Sequence, residues 1–340
     1  MAVIGAGFIG RRHIEFLRGH PQLSVVGAGD PFPAPYLAEM GVPHFNDYRE
    51  MLDNLRPDGV IVATPNPMHE EVALACLERG IPALVEKPIA HTLESAARIC
   101  EAAKRTGVPV LVGHHRRHNP LMRTASEFLR GGGIGKLLSV AAINLRRKPE
   151  SYYNVAWKRE PGGGPLLINA IHDLDCLRAL CGEIDSVMAF TGNKARGFAV
   201  EDCAAIAIRF ANGALGNLTL SDAVQAPWAW EMTAGEEGEY PREHEDCYLL
   251  GGSEGSLAIP TLTHVRNERG GGRADPFIRK ELFYVAANPW IEELLHFSAV
   301  IRGEAQSMIT ADDGTRTLAA VLAVMRSADI GRPVDLNEMI

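Results

Sequence analysis

Three parts of this chain combine residue types and spacings that suit chemistry on a nucleotide or an alcohol. The first is a G-x-G-x-x-G pattern formed by Gly5, Gly7 and Gly10. The first glycine permits a tight turn, the second lets a pyrophosphate approach the backbone, and the third allows a helix to pack closely on a strand. Amide groups at the start of that helix attract phosphates. The pattern predicts a dinucleotide site, with Phe8 and Ile9 among its contacts.

A single carboxylate predicts which dinucleotide is bound. Asp30 stands about twenty residues after Gly10, the spacing at which an acidic side chain accepts hydrogen bonds from the ribose 2′-hydroxyl. The same charge repels a 2′-phosphate, and the next residue is Pro31 rather than an arginine or serine that would bind one. We therefore predict NAD rather than NADP. The alternative is a glycine-rich turn with a surface aspartate.

The second part consists of polar side chains that follow predicted strands. Thr64 and Asn66 follow an apolar run at 59–63, and Lys87 follows another at 83–85. Ligands of open α/β sheets bind at the carboxyl edge of the strands. Thr64 and Asn66 therefore either contact the cofactor or cap the next helix. Lys87 can donate a hydrogen bond to a substrate hydroxyl and help its deprotonation, whereas the alternative is a surface lysine before a turn.

The third part is a histidine in the second half of the chain. Residues 162–164 read GGG and precede a predicted helix over 166–181 that carries His172, Asp173 and Asp175. An imidazole suits a general base near neutral pH, although a helical histidine often has only a structural role. The pattern makes His172 a candidate for the group that takes a proton from a substrate hydroxyl.

A run of histidines and arginines at 114–118 reads HHRRH. Neighbouring side chains diverge on helices and strands alike, so these histidines are not expected to converge on one ion. The six cysteines are scattered, without the close pairs of a structural zinc site. The sequence therefore predicts no metal. Arg117 is a candidate for lining the substrate site, where it would meet a carboxylate, or for joining the two domains.

The elements that must position these residues change in character near residue 119. Up to residue 118, apolar strand-like runs alternate with amphipathic helical segments, which is typical of a doubly wound parallel sheet. The predicted strands are 2–5, 23–27, 59–63, 83–85 and 108–113, and the predicted helices are 8–19, 46–54, 67–79 and 92–106. Residues 1–118 are therefore predicted to form an α/β dinucleotide-binding domain.

From residue 119 onward, consecutive strand-like runs predict an α+β domain with one large, mostly antiparallel open sheet. Turn signals such as Asn212-Gly213 separate neighbouring runs. Helices are predicted at 120–131, 166–181, 289–302 and 311–328, and strands at 136–147, 184–194, 203–210, 214–222, 228–234, 247–251 and 255–259. A flexible loop is predicted at 269–276. Residues 119–340 are assigned to substrate binding, with helix 311–328 expected to pack back toward the first domain.

The composition disfavours several classes of function. At 340 residues, with 46% hydrophobic and 22% charged residues, the chain suits a globular protein of two domains. A formal charge of −8 disfavours nucleic acid as a partner. No apolar run approaches the roughly 18 residues of a membrane-spanning helix, and no secretion signal is recognised at the start. We expect a cytoplasmic protein that binds neither nucleic acid nor membrane.

Taken in order, these motifs resemble those of the Gfo/Idh/MocA family, named after glucose–fructose oxidoreductase, inositol dehydrogenase and a rhizopine-catabolism protein. The resemblance covers nearly the whole chain. It is carried by AVIGAGFIG near the start, ATPNPMH at 63–69, EKP at 86–88 and GGGPLLINAIHDLD at 162–175. It implies a Rossmann domain plus an α/β domain whose open sheet supports homodimers or homotetramers. It also implies NAD(P)-linked oxidation or reduction of a small hydroxylated substrate such as a sugar or polyol.

The resemblance also implies roles for individual residues. Lys87 is the active-site lysine, His172 is the proton acceptor, Glu86 falls near the nicotinamide, and the Lys87–Pro88 bond is expected to be cis. The candidate cofactor contacts are Gly5, Gly7, Phe8, Ile9, Gly10, Asp30, Thr64, Asn66, His69, Glu86 and Lys87. The candidate substrate contacts are Lys87, Arg117, Trp157, Asn169 and His172.

One position departs from the family pattern. Many members place an aspartate four residues before the histidine, on the same face of the helix, whereas this chain has Ile168. An isoleucine cannot orient or stabilise an imidazolium. Either the lysine and histidine suffice, or Asp173, Asp175 or Asn169 substitutes, or the reaction differs from that of the family.

The function predicted from the sequence is hydride transfer between a nicotinamide and a secondary alcohol or ketone of a sugar, polyol or inositol-like substrate. In this prediction His172, assisted by Lys87, takes the hydroxyl proton. There are two alternatives: a dihydrodiol-type dehydrogenase of aromatic catabolism, and a non-catalytic dinucleotide-binding sensor with the same fold. The retained lysine and histidine favour an enzyme, whereas the missing aspartate favours the sensor.

Overall fold

A computed structural model describes residues 1–236, 240–268, 271–272 and 274–339 of the chain. The chain divides into two compact units. Unit 1 comprises Met1–His118 and Ala287–Leu318, and unit 2 comprises Asn119–Ala286 and Ala319–Ile340. Within the described ranges, no helix is both long enough and apolar enough to cross a bilayer.

Unit 1 is built on a parallel sheet. Its strands are β1 (Ala2–Ile4), β2 (Gly27–Gly29), β3 (His44–Phe45), β4 (Val60–Val62), β5 (Ala83–Glu86) and β6 (Val110–Gly113). Its helices are α1 (Phe8–Gly19), α2 (Pro35–Glu39), α3 (Tyr48–Leu55), α4 (His69–Glu78), α5 (Leu93–Thr106) and α9 (Pro289–Ile301), with 3-10 turns at Asn66–Met68 and His115–His118. The strand order is β3-β2-β1-β4-β5-β6. This is the doubly wound α/β architecture that the sequence predicts, with its switch point between β1 and β4.

The second strand of unit 1 corrects one prediction. The sequence predicts a strand at 23–27, but β2 is Gly27–Gly29 and consists of glycine, alanine and glycine. A Cβ atom on Gly29 would lie 3.0 Å from the Cβ of Tyr48, and one on Gly27 would lie 2.6 Å from Cδ1 of Leu55. Helix α3 therefore packs directly on the backbone of β2. A strand of two glycines and one alanine gives almost no apolar signal in the sequence. The preceding residues are more apolar, which is why the sequence predicts the strand there.

Local capping sets the ends of helices in unit 1. The side chain of Asp47 accepts a hydrogen bond from the Arg49 amide at the start of α3, and that of Thr92 accepts one from the Ser95 amide at the start of α5. Helix α5 ends at Gly107, which has a φ of +69°. These are the side-chain N-caps and the left-handed glycine C-cap that stabilise helix ends.

Unit 2 is built on one large sheet. Its strands are β7 (Leu137–Leu145), β8 (Ile184–Gly192), β9 (Cys203–Phe210), β10 (Leu215–Ser221), β11 (Tyr248–Gly252), β12 (Ser256–Ile259), β13 (Thr263–Asn267), β14 (Phe277–Glu281) and β15 (Val334–Asp335). Its helices are α6 (Pro120–Arg130), α7 (Ile171–Cys181) and α8 (Trp230–Thr233), with short helical turns at Glu150–Asn154, Ala156–Arg159 and Leu336–Glu338 and a π-helix at Leu166–Ala170. Helix α10 (Ala311–Ile330) is divided between the two units after Leu318.

The nine strands of unit 2 follow the order β14-β13-β12-β11-β7-β10-β9-β8-β15. Strands β7 and β10 pair in parallel, and the other neighbours pair antiparallel. Strand β9 alternates strictly between exposed and buried residues. Its buried side chains join those of α6, α7 and the unit 2 part of α10 in one core. The mostly antiparallel open sheet predicted from the sequence is confirmed.

Unit 2 differs from the prediction at its irregular parts. The predicted strand 228–234 is wrong: Trp230–Thr233 form the short helix α8, because the Trp230 ring is fully buried against Tyr248 and the Thr233 hydroxyl donates to the Ala229 carbonyl. Strands β13 and β14 were not predicted, since β14 is exposed along its whole length and shows no apolar alternation. Part of the predicted loop 269–276, namely residues 269, 270 and 273, lies outside the described residues.

Candidate active site

The glycine-rich turn links β1 to α1. Gly5 has a φ of +96°, and a Cβ atom on it would lie 2.5 Å from the Ala63 carbonyl oxygen. A Cβ atom on Gly10 would lie 1.8 Å from the Gly5 carbonyl oxygen, so the protein's own backbone requires glycine at both positions. Gly7 differs, because nothing lies within 4 Å of the place its Cβ would take. The open side of Gly7, at the N-terminus of α1, fits an approaching pyrophosphate.

The two residues that follow Gly7 begin helix α1. Phe8 is 69% exposed, and Ile9 is half-buried. The guanidinium of Arg12 lies 5.3 Å from the Phe8 ring centroid and 5.3 Å from the Trp290 ring centroid. This arrangement holds Arg12 against aromatic faces beside the turn, where its charge adds to the attraction of phosphates.

Asp30 follows β2 and is held by two backbone hydrogen bonds. Its Oδ2 accepts from the Ala6 amide at 2.7 Å, and its Oδ1 accepts from the Phe32 amide at 2.9 Å. The Tyr36 hydroxyl donates to the Ala6 carbonyl oxygen at 2.9 Å. The carboxylate is thus tied to the glycine-rich turn, and each of its oxygens keeps a lone pair for a ribose hydroxyl. This geometry fits NAD.

His69 joins the loops that follow β4 and β5. Its buried ring places Nδ1 at 2.8 Å from the Pro88 carbonyl oxygen and Nε2 at 2.9 Å from the Thr64 carbonyl oxygen. Burial lowers the pKa of His69, and a neutral imidazole donates to only one of these carbonyls at a time. His69 therefore positions the two loops. Thr64 and Asn66, both partly exposed in the first of them, are the side chains presented at the strand end.

Glu86 ends β5 within a buried cluster, which we call the His13–Glu86–Glu293 cluster after its members. His13 Nε2 lies 2.7 Å from Glu86 Oε1. Burial pushes the pKa of Glu86 up, but the hydrogen bond and the charge of His13 outweigh it, so this pKa lies below its usual range. Burial and the charge of Glu86 hold the pKa of Glu293 well above its usual range. These directions favour the ionised form of Glu86 and the protonated form of Glu293.

Among the described residues, this cluster is also the one group of His, Cys, Asp and Glu side chains close enough together to hold a metal ion. One ligand atom from each of its three members lies within 4.8 Å of the others. A metal would need both carboxylates ionised and the imidazole neutral. In the present arrangement His13 and Glu86 are hydrogen-bonded to each other. The absence of a metal, which the sequence predicts, stays a prediction.

Lys87 lies directly after β5 and is partly exposed. Its backbone N–H donates to Glu86 Oε2 at 3.3 Å. The Lys87–Pro88 bond is cis, as the family resemblance implies. The hydrogen bond to the buried Glu86 carboxylate thus holds the backbone from which the Lys87 side chain extends.

The HHRRH run forms a 3-10 turn that packs within unit 1. The ring of His115 stacks on that of Trp290, with centroids 4.2 Å apart. Arg117 Nη1 donates to Asp313 Oδ2 at 2.7 Å, and both side chains are largely buried. The carboxylate that Arg117 meets therefore belongs to its own unit. This ion pair gives Arg117 a structural function and leaves its predicted substrate contact without support from the geometry.

In unit 2 the GGG run prepares the start of the helix that carries the candidate base. A Cβ atom on Gly163 would lie 2.2 Å from the Trp157 carbonyl oxygen, and one on Gly164 would lie 2.2 Å from Glu201 Oε1. Glu201 Oε1 accepts from the Leu166 amide at 2.8 Å, at the first residue of the π-helix. The absence of side chains lets a carboxylate reach this helix end. Helix α7 continues directly from the π-helix, a local form common at functional sites.

His172 lies in the first turn of α7 and is 8% exposed. Its neighbour Asp173 is fully buried, and it accepts from Asn144 Nδ2 at 2.7 Å and from the Tyr248 hydroxyl at 2.5 Å. These bonds anchor α7 to β7 and β11. These bonds give Asp173 a role in anchoring the helix that carries His172.

Asn169, one turn before His172, is held by a residue that the sequence analysis missed. Lys148 Nζ donates to Asn169 Oδ1 at 2.7 Å and lies 3.5 Å from Asp222 Oδ2. Lys148 is only 3% exposed. Burial lowers its pKa to about 8 in spite of the attraction of Asp222. The only sequence signal was a lysine close after a strand, which also describes many surface lysines.

Asp222 follows β10 and organises the surroundings of Lys148. Its Oδ1 accepts from Arg196 Nη1 at 2.5 Å, and its Oδ2 accepts from the Tyr153 hydroxyl at 2.6 Å. Arg196 Nη2 also donates to the Asp222 carbonyl oxygen at 2.6 Å. Burial and the hydrogen bond to Asp222 raise the pKa of Tyr153. Arg196 and Tyr153 therefore already occupy the carboxylate that Lys148 approaches.

The predicted substrate contact Trp157 lies in the turn Ala156–Arg159 and is 52% exposed. The ammonium of Lys158 lies 5.9 Å from its ring centroid. An exposed indole face can cover one side of a sugar ring. Trp157 is therefore placed so that it can serve a ligand, in contrast to the fully buried Trp230.

Two family models match the chain. A model described as an oxidoreductase family with an NAD-binding Rossmann fold matches residues 1–114. A model of the GFO/IDH/MocA C-terminal domain matches residues 122–258. The first range contains the glycine-rich turn, Asp30 and Lys87, and the second contains Lys148, Asn169 and His172. Together the two models span most of the chain.

Characterised relatives align with nearly the whole chain. The 1,5-anhydro-D-fructose reductase of Ensifer adhaerens is 28% identical, with 98% of each chain covered. The scyllo-inositol 2-dehydrogenase (NAD(+)) of Bacillus subtilis is also 28% identical, with 99% of this chain and 96% of that one covered. Among solved structures, levoglucosan dehydrogenase in complex with NADH superimposes with a TM-score of 0.80 at 23% identity, covering 98% of both chains. At this identity the superposition shows a common fold.

Proposed function

The chain belongs to the GFO/IDH/MocA family of NAD-binding oxidoreductases, and from that premise we propose that it transfers a hydride between NAD and a secondary alcohol or ketone of a sugar, polyol or inositol-like substrate. The observation that carries the proposal is a buried polar contact in unit 2, three residues before His172 in the sequence. Lys148, only 3% exposed, donates to Asn169 there.

The cofactor part of the proposal rests on unit 1. The open side of Gly7 admits a pyrophosphate, and Asp30 offers lone pairs to a ribose diol. Thr64 and Asn66 are the polar side chains after β4 that would contact the dinucleotide. When bound, NAD accepts a hydride from the carbon that bears the substrate hydroxyl. The protein's part is to bind the dinucleotide and to manage the proton.

We assign the proton to His172 and the stabilisation of the developing alkoxide to Lys87. The imidazole takes the hydroxyl proton as the carbon loses its hydride, and the Lys87 ammonium donates a hydrogen bond to the same oxygen. With Ile168 in place of the usual aspartate, no carboxylate side chain at that position favours the charged imidazolium. Lys87 therefore has the larger share in stabilising negative charge on the oxygen.

A spectrophotometric screen tests this function. Purified protein and NAD are incubated with sugars, alditols, inositols and cyclic dihydrodiols, and NADH formation is followed at 340 nm. We expect turnover of at least one sugar, polyol or inositol. Turnover of dihydrodiols alone would support the aromatic-catabolism alternative. Tight NAD binding with no turnover of any compound would support a sensor in place of an enzyme.

We also propose that the protein is a homodimer or homotetramer built through the open face of the unit 2 sheet. Large apolar side chains on strands β7, β8, β10 and β11 are half or more exposed: Leu138, Phe190, Leu215 and Leu249. An apolar sheet face of this extent is typical of an interface. Light scattering after size exclusion should give two or four times 36.9 kDa. A monomer at micromolar concentration would refute this part of the proposal.

A further inference from the structure

Two lysines of unit 2 share one aromatic ring. The ammonium of Lys158 lies 3.4 Å from the centroid of the Tyr152 ring, and that of Lys148 lies 4.4 Å from it. A cation over an aromatic face is stabilised by the ring, and more so when water is excluded. Burial raises the pKa of Tyr152 to about 12, so the phenol is neutral and does not cancel either positive charge.

Asp222, the carboxylate beside Lys148, is shared among several donors. It accepts hydrogen bonds from Arg196 and Tyr153, and Lys148 lies 3.5 Å from it. Among the described residues, no carboxylate lies within 4.0 Å of the Lys158 ammonium. Lys148 and Arg196 therefore share one carboxylate, whereas Lys158 has no ion-pair partner among the described residues.

The next charged groups have partners of their own. Glu201 accepts from the Leu166 amide at 2.8 Å, and Asp202 Oδ2 accepts from the Arg196 amide at 2.8 Å. Arg146 and Glu231 pair with each other, with 3.1 Å between Nη2 and Oε1. Lys158 is therefore the cation over the Tyr152 ring that has no ion-pair partner among the described residues.

The amide of Asn169 adds a donor to this positive region. An ammonium only donates hydrogen bonds, so the Asn169 atom that faces Lys148 must be the oxygen. The amide NH₂ then points away from Lys148, and both of its hydrogens can be donated to a ligand. Asn169 precedes His172 by three residues, in the π-helix that continues directly into α7.

We propose that Lys148, Lys158 and Asn169 form a subsite for a carboxylate group of the substrate, which makes the substrate a sugar acid or a related hydroxy acid. This inference rests on the proposed function and narrows its substrate class. An incoming carboxylate would supply a counter-charge for Lys158, would add to the one that Lys148 shares with Arg196, and would accept the hydrogen bonds that Lys158 and Asn169 can donate. A phosphate is a poorer fit, because the arginines of this region, Arg196 and Arg146, already pair with Asp222 and Glu231.

Matched substrate pairs test the carboxylate directly. Glucuronate is compared with glucose, galacturonate with galactose, and gluconate with glucitol, by kcat/KM for NADH formation. We expect an acid to exceed its neutral partner by roughly 10–100-fold, the usual range for a hydrogen bond to a charged group. A neutral partner that equals or exceeds its acid in every pair would overturn the subsite and leave the proposed function intact. A preference for glucose 6-phosphate over all of the acids would overturn the choice of a carboxylate.

Variants of the lysines separate recognition from folding. Lys158→Gln should raise KM for the acid by about 10-fold while kcat stays within about 2-fold, and it should leave KM for a neutral substrate unchanged. Lys148→Met should show the same pattern more strongly, and Lys148→Arg should restore part of the loss. The control is Lys280→Gln on β14, where the lysine is exposed. An unchanged KM in Lys158→Gln would overturn the subsite even if Lys148→Met fails to fold.

If no compound is turned over, the proposed function fails and the subsite is judged by binding. Titration calorimetry of the NADH complex with gluconate and glucuronate then gives the answer. Binding of an acid that Lys158→Gln weakens about 10-fold would support the subsite in a protein without dehydrogenase activity. Absence of acid binding to the wild type at millimolar concentration would overturn it.

Discussion

Both units bury ionisable side chains, but they handle the charge differently. In unit 1, the His13–Glu86–Glu293 cluster places two carboxylates beside one imidazole, and burial and the charge of Glu86 raise the pKa of Glu293, which favours its protonated form. In unit 2, Lys148 is a buried cation whose neighbouring carboxylate is shared with Arg196. We propose that a ligand carboxylate completes the second arrangement, which is why we place substrate recognition in unit 2.

The largest expected effect tests whether both units contribute to the chemistry. Lys87→Ala and His172→Ala should each lower kcat by roughly 10²–10⁴-fold, because each removes a group that handles charge on the reacting oxygen. NADH affinity, measured by fluorescence titration, should be little changed in His172→Ala. The control is His244→Ala, which replaces an exposed histidine of unit 2. Near wild-type kcat in either variant would show that its residue has been given the wrong role.

The second prediction separates two functions of glycine within unit 1. Gly10→Ala should unfold the turn or the whole unit, because its Cβ would lie 1.8 Å from the Gly5 carbonyl oxygen. Gly7→Ala should fold with an unchanged Tm, because its Cβ meets nothing within 4 Å, but it should raise the Kd for NADH at least about 10-fold by blocking the pyrophosphate. Thermal unfolding and NADH titration measure both. Equal NADH affinity in Gly7→Ala would mean that the phosphates bind elsewhere.

The third prediction concerns the charge that selects the cofactor. Wild-type protein should bind NADH more tightly than NADPH, and Asp30→Ser should narrow this gap by roughly 10–100-fold, since it removes a charged hydrogen-bond acceptor and a repulsion. Glu39→Gln is the matched control, because it removes an exposed charge of the same unit. If Glu39→Gln narrows the difference between NADH and NADPH affinity as much as Asp30→Ser does, then net charge rather than Asp30 sets the cofactor preference.

The smallest effect tests the proton on Glu293. Because the pKa of Glu293 is raised in the folded state, its contribution to stability is fully present below the unfolded pKa of about 4.3 and is lost as the pH rises toward the folded value. Glu293→Gln has no proton to lose. Its Tm should exceed that of the wild type by roughly 2–5 °C at pH 8 and by less at pH 5.

A surface change of the same chemistry serves as the control for Glu293→Gln. Glu78→Gln replaces an exposed glutamate at the end of α4, so its Tm should follow that of the wild type at both pH values. A Glu293→Gln variant that is less stable than the wild type at pH 8 would contradict the protonated state. It would mean instead that an ionised Glu293 contributes to the fold.

The fold was largely predictable, because its strands are buried on both faces or alternate regularly. The apolar runs that form β1, β4, β5 and β6 gave unit 1, and strict alternation in β9 gave the sheet of unit 2. Two of the failures, the strands β2 and β14, share one cause, which is that their side chains showed no apolar period. Strand β2 has almost no side chains, and β14 is exposed throughout.

The two candidate sites differed in how far the sequence revealed them. In unit 1, the chemistry lies in short motifs at strand ends, where Gly7, Asp30 and Lys87 each have a position with a known physical purpose. In unit 2, only His172 had such a motif. Lys148 and Lys158 come from the connection after β7, and Asp222 comes from the loop after β10. Their roles depend on burial and on which neighbours they share. No spacing along the chain encodes that information.

A redesign of this enzyme for NADP would have to meet two requirements at position 30. Asp30 repels the extra phosphate, but it also accepts the amide hydrogen bonds of Ala6 and Phe32, so the residue that sets cofactor choice is also a structural part of the turn. A small apolar replacement would leave the Ala6 amide, at the base of the turn, without its acceptor. A successful variant would combine a short hydroxyl side chain at position 30 with a cation in place of Pro31. A screen of variants for NADP use alone would therefore also select for those in which the loop after β2 stays well ordered.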